Sequence, residues 1–141
     1  MTTENGPFVQ AACFCENVIE DKTGVLSLIR IIDKITRTVA GTDPPDDMPP
    51  INYDMKLALM LKSGSARGRG NIRIKIEEPS GLSVDGPSIS VHLEGENSGA
   101  NLITQLSIDF SQEGVYWFWI YFDDTLLSKI PFQVMYSRII T

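Results

Sequence analysis

The sequence is poor in the residues from which catalytic and metal sites are built: it has one histidine, His92, and two cysteines, Cys13 and Cys15. A structural zinc takes four ligands, and no second cysteine pair or second histidine is present to complete such a set, so neither a metal nor another cofactor is expected. Cys13 and Cys15 stand two apart in a run that reads as extended, which puts both side chains on one side of one strand. A bond between them would close a small strained loop, and the pair is expected as buried thiols in a reducing compartment.

Other absences narrow the function further. No Gly-x-Ser-x-Gly elbow surrounds a serine, and the close carboxylate pairs, Glu77-Glu78 and Asp123-Asp124, are adjacent in sequence and so diverge on a strand or turn. The expectation is a protein that is not an enzyme. Basic residues are outnumbered, 12 to 18, for a net charge of −6, which opposes broad contact with nucleic acid or an anionic membrane. No stretch reaches the ~20 apolar residues of a membrane helix, and Met1 to Pro7 lacks a basic, then apolar, leader, so a soluble cytoplasmic protein is expected.

What is present is alternation. Phe8, Ala12 and Phe14 share one face of the first segment, with Val9, Ala11, Cys13 and Cys15 on the other. Tyr53, Met55, Leu57, Leu59 and Leu61 form one side of a second, and Ile72, Ile74 and Ile76 alternate with charges in a third. Ile89, Val91 and Leu93 point inward opposite His92, and Leu102, Thr104, Leu106, Ile108 and Phe110 inward opposite Ile103, Gln105, Ser107 and Asp109. Residues 25 to 40 also fit helical spacing, but their Ile, Val and Thr content favours one long, bent strand.

The connections carry turn chemistry. Four prolines in "GTDPPDDMPP", residues 41 to 50, remove backbone donors and leave a stiff acidic connection, while "SGSARGRGN", residues 63 to 71, reads as a mobile basic hairpin. Asp123-Asp124 closes a hairpin to a last strand in which Pro131 marks an edge or a bulge. A single β-sandwich domain over residues 1 to 141, with about eight strands in two antiparallel sheets, follows from this pattern.

Glu113-Gly114-Val115-Tyr116 resembles the turn into strand F of an immunoglobulin-like sandwich, where a tyrosine hydrogen-bonds back over the corner. Tyr116 would take that part, and Phe118 stands where an antibody domain has its cysteine. "AACFCE", "LSLIRIIDKI", "EPSG" and "GVYWFW…IPFQV", in that order, resemble a family of small, mostly bacterial proteins known only as a domain of unknown function. That resemblance, from about Phe8 to Val134, implies a sandwich fold and supplies no catalytic or binding residue. Hairpins of this kind often read Asp-Gly; with Asp124 at the second turn position, that residue is expected to take the uncomfortable backbone angle.

The unusual segment is "VYWFWIYF", residues 115 to 122. Tyr116, Phe118, Ile120 and Phe122 suit the interior, which leaves Val115, Trp117, Trp119 and Tyr121 on the reverse, too large and apolar for a solvated face. Three covers are open: the proline-rich connection or residues 25 to 40 of the same chain, a protein surface, or a stacked sugar-like ligand with polar help from Gln105, Asp109 and Gln133. The reading favoured is a protein partner or homo-oligomer docked on Trp117, Trp119 and Tyr121, with a small-molecule ligand such as a carbohydrate as the alternative use of the ridge.

Overall fold

A computed structural model describes residues 5 to 141. Nine strands follow one another: β1 (Phe8–Glu20), β2 (Leu26–Ile32), β3 (Lys34–Gly41), β4 (Ile51–Lys62), β5 (Arg67–Glu77), β6 (Ser83–Glu94), β7 (Gly99–Phe110), β8 (Gly114–Phe122) and β9 (Thr125–Ile140). One sheet has the order β2-β1-β4-β7, the other β3-β9-β8-β5-β6, and together they form an immunoglobulin-like sandwich. No helix occurs among the described residues, so none is long and apolar enough to cross a membrane.

The ninth strand comes from residues 25 to 40. The segment is extended and bent, as its branched side chains predict, but at Asp33 it leaves one sheet for the other: β2 pairs antiparallel with β1, and β3 pairs parallel with β9. Asp33 marks the crossing, its carbonyl accepting from the Gln133 N–H at 3.0 Å.

Between the sheets the inward residues of the alternating strands make one core, with Met55, Leu57, Leu59, Ile72, Ile74, Leu106, Phe132 and Val134 all buried. An unbroken series of ring contacts crosses it. Phe118 meets Phe14 edge-on at 4.7 Å, Phe14 meets Phe132 at 5.5 Å, Phe132 stacks on Phe110 at 5.5 Å, and Phe110 meets Tyr116 at 4.8 Å. Phe14 and Phe110 belong to one sheet and the others to its partner, so these contacts join the sheets where an antibody domain uses a disulfide.

The corner before β8 has the geometry expected of it. Gly114 sits at φ 129°, a conformation costly for any side chain, and turns the chain so that the Tyr116 hydroxyl accepts from the N–H groups of Ser111 (3.2 Å) and Gln112 (3.1 Å). Tyr116→Phe keeps the ring and strands those two donors, so it is expected to cost about 1–2 kcal/mol in urea unfolding; an unchanged midpoint would show the hydroxyl to be idle.

Several local expectations need correction. A bulge between Val9 and Ala11 resets the face of β1, so Val9 joins Ala12 and Phe14 at the core while Phe8 is exposed. Residues 63 to 71 are not a hairpin: β4 and β5 lie in different sheets, and the segment crosses between them. Gly70 there is buried, and a Cβ on it would run into the Phe122 ring. In the β8–β9 turn it is Asp123, at φ 49°, that takes the left-handed angle rather than Asp124. Pro131 is not on an edge strand, because β9 lies between β3 and β8; but β3 starts opposite Gln133, two residues later, so the missing N–H costs no ladder bond on that side.

Candidate functional site

β8 is an interior strand of its sheet, with β9 on one side and β5 on the other. Tyr116, Phe118 and Ile120 are buried, and the opposite parity sets Val115, Trp117, Trp119 and Tyr121 on the outer face. Val115 is exposed and the other three are half-buried.

Register decides what lies beside them. Trp117 stands between Glu77 of β5 and Pro131 of β9, Trp119 between Lys75 and Lys129, and Tyr121 between Arg73 and Leu126. The Lys129 Nζ is 4.3 Å from the centre of the Trp117 ring and 4.2 Å from that of Trp119, so one ammonium group serves two indoles. Arg73 lies over Tyr121 with Cζ at 5.5 Å, donates from Nε to the Asp123 carbonyl at 3.1 Å, and reaches Asp124 at 3.8 Å. Cation–π contacts at such exposed positions contribute about 0.5–1 kcal/mol each. Basic side chains thus shade the ridge, and the three aromatic residues remain only half-buried.

Neither intrachain cover proposed from the sequence lies over the indoles. In the proline-rich connection Met48 is buried in the core, and the carbonyls of Pro44 and Pro45 accept from Arg138 (2.8 Å) and the Tyr136 hydroxyl (2.6 Å). Tyr136 and Arg138 share the inward parity of Phe132 and Val134, so this segment closes an end of the sandwich on the face of β9 opposite the ridge. Residues 25 to 40 supply the outermost strands β2 and β3. Of the polar residues considered as ligand partners, only Gln133 adjoins β8, opposite Val115; Gln105 and Asp109 are on β7, in the other sheet.

The remaining candidates are dispersed. His92 is exposed on β6 opposite Arg69. Among the described residues no three of His, Cys, Asp and Glu come together as a cation site. On the outer side of β1, Cys13 is half-buried opposite Ala58 and Cys15 is fully buried opposite Lys56. Burial pushes both thiols above the usual range; at Cys15 the charge of Cys13 adds to the rise and Lys56 opposes it. At neutral pH both are therefore expected to resist iodoacetamide until urea unfolds the protein, and rapid labelling of Cys15 in the folded state would contradict that.

Residues 10–135 match the model of a family of unknown function, DUF6941. The chain belongs to that family. None of the proteins of curated function matches the sequence. Among solved structures, a β-glucosidase from Listeria innocua in complex with glucose is similar at 7% identity and a TM-score of 0.53, over 75% of this chain and 15% of that one. A CARDB domain from Pyrococcus furiosus in complex with di-metal ions is similar at 14% identity and a TM-score of 0.47, over 96% and 99% of the two chains. An immunoglobulin-like protein from Pseudomonas aeruginosa follows at 12% identity and a TM-score of 0.39, over 94% and 99%. The chain thus spans about 15% of the length of the β-glucosidase, and at such identities the likeness concerns the fold alone.

Proposed function

We propose that the protein is a non-enzymatic interaction module whose docking surface is the outer face of β8, and that the simplest partner is a second copy of the chain. The observation that carries this reading is the half-buried row Trp117, Trp119 and Tyr121 on an interior strand, with no described segment laid across it. Aromatic side chains are enriched in interface cores, where their large area is removed from water at low cost in side-chain freedom.

At its two ends charge placement suits a two-fold contact, and at its centre the Lys75 and Lys129 ammonium groups beside Trp119 would meet those of the copy and have to be held on the indoles. Glu77 flanks the ridge beside Trp117 and Arg73 flanks it beside Tyr121, with Trp119 between. A copy laid antiparallel across β8 would set each Glu77 toward the other's Arg73, and each Lys129 ammonium against the other's indoles.

Sedimentation equilibrium from micromolar to millimolar concentration tests this. A rise in apparent mass toward a dimer supports it. A protein that stays monomeric throughout would remove self-association.

A further inference from the structure

A different surface lies on the open side of the sandwich, between the edge strands β6 and β7. A groove of about 430 Å³ runs between them, walled by Ile76, Leu106, Ile108 and Tyr116. Glu78, Asp85 and Asp109 also line it, and no Lys or Arg does. None of these three carboxylates is in an ion pair among the described residues; Asp109 accepts one hydrogen bond, from Asn52 at 2.8 Å.

β7 itself is an unguarded edge. It pairs with β4 without a break from Phe110 opposite Ile51 to Gly99 opposite Lys62, contains no proline, and carries a single charge, Asp109. Its other side has no neighbour in the sheet, so a row of backbone donors and acceptors faces outward. The other edges are blunted. β6 has Pro87 and a register shift opposite Ile74, β2 has only 7 residues with Arg30 at φ 55°, and β3 has 8 with Lys34 and Arg37. Edge strands in natural proteins usually bear such blocks, and a long one without them is a template for strand addition.

We propose that β7 and the adjoining groove accept an extended, basic and apolar segment of another protein, added as a fifth strand beyond β7. Side chains of such a strand alternate, so one set enters the groove against Leu106 and Ile108 while Lys or Arg residues meet the carboxylates at its rim. Charge decides against a second copy here. Two-fold pairing of β7 strands would run antiparallel and leave Glu78, Asp85 and Asp109 of both copies without a cation, because β7 carries no Lys or Arg to meet them.

The test uses the whole chain, titrated with a short fluorescent peptide that alternates Val and Lys. It is expected to bind and to slow amide hydrogen exchange along Gly99 to Phe110. Replacing its Lys by Glu, or methylating alternate amide nitrogens, is expected to weaken binding at least about tenfold, as is the double variant Asp85→Asn, Asp109→Asn with an unchanged melting curve. The proposal is overturned if the Lys and Glu peptides bind alike or neither binds, or if the slowed amides lie on β8. It is also overturned if the β7 amides slow with protein concentration alone, which would show self-pairing.

Discussion

Phe118→Ala is expected to lower the stability of the sandwich by about 3–5 kcal/mol, the largest single effect in the molecule. Phe118 is fully buried, and its ring meets Phe14 of the opposite sheet at 4.7 Å. Truncation removes the transfer free energy of the ring, leaves a cavity that two hydrogen-bonded sheets cannot collapse to fill, and cuts the ring series at its Phe14 end. In a chain of this length, where each kcal/mol shifts the midpoint by about 2–4 °C, a fall in melting temperature of about 10–15 °C is expected. A cycle with Phe14→Ala separates the two contributions: the double variant should lose less than the sum of the single ones, because both share one contact. Additive losses would mean that the rings act independently and that nothing couples the sheets at this point.

Trp119→Asp has the second large effect, on assembly rather than folding. Trp119 is at the middle of the ridge, half-buried, with Lys129 at 4.2 Å. Interface tryptophans of this kind contribute about 2 kcal/mol or more; a two-fold contact counts the loss once in each copy, and a dimer is expected to weaken about a thousandfold. The fold should tolerate the change at a cost under about 1 kcal/mol, since the side chain lies outside the core. Val115→Asp, at the exposed end of the same face, should have a much smaller effect on association, because contact energy concentrates at the centre of an interface. Equal effects from the two substitutions would argue for general acidity of the surface rather than a seated indole.

Much of the architecture was legible from side-chain period. β4 and β7 alternate so cleanly that Met55 and Leu106 could be placed inside without any pairing partner, whereas in β8, apolar on both faces, it was the Tyr116 corner that set Phe118 on the inward side. The Gly114 and Tyr116 corner was readable because its geometry is local: one glycine, one hydroxyl and two nearby N–H groups. What escaped depended on which strands meet. Nothing in "SGSARGRGN" says that the chain crosses to the other sheet instead of folding back, and nothing in residues 25 to 40 says that the bend at Asp33 changes sheets. The bulge that turns Phe8 outward adds one residue to β1, and period alone does not show which one.

The same limit applies to the ridge. Trp117, Trp119 and Tyr121 could be named from one strand, but Lys129 and Arg73 join them only through the register of β8 with β9 and β5. Arg73 was visible only as one of the charges that alternate with Ile72 and Ile74; pairing places it, and Lys129, over aromatic rings.

Trp117 and Trp119 are the only tryptophans in the chain, so their emission reports on the ridge alone. Acrylamide quenching, measured over a wide range of protein concentration, is the most direct test of a docking role for this face. Quencher access that falls as concentration rises is the result expected if one ridge covers another; low access that does not change with dilution would mean that the chain hides its own indoles and would contradict the account.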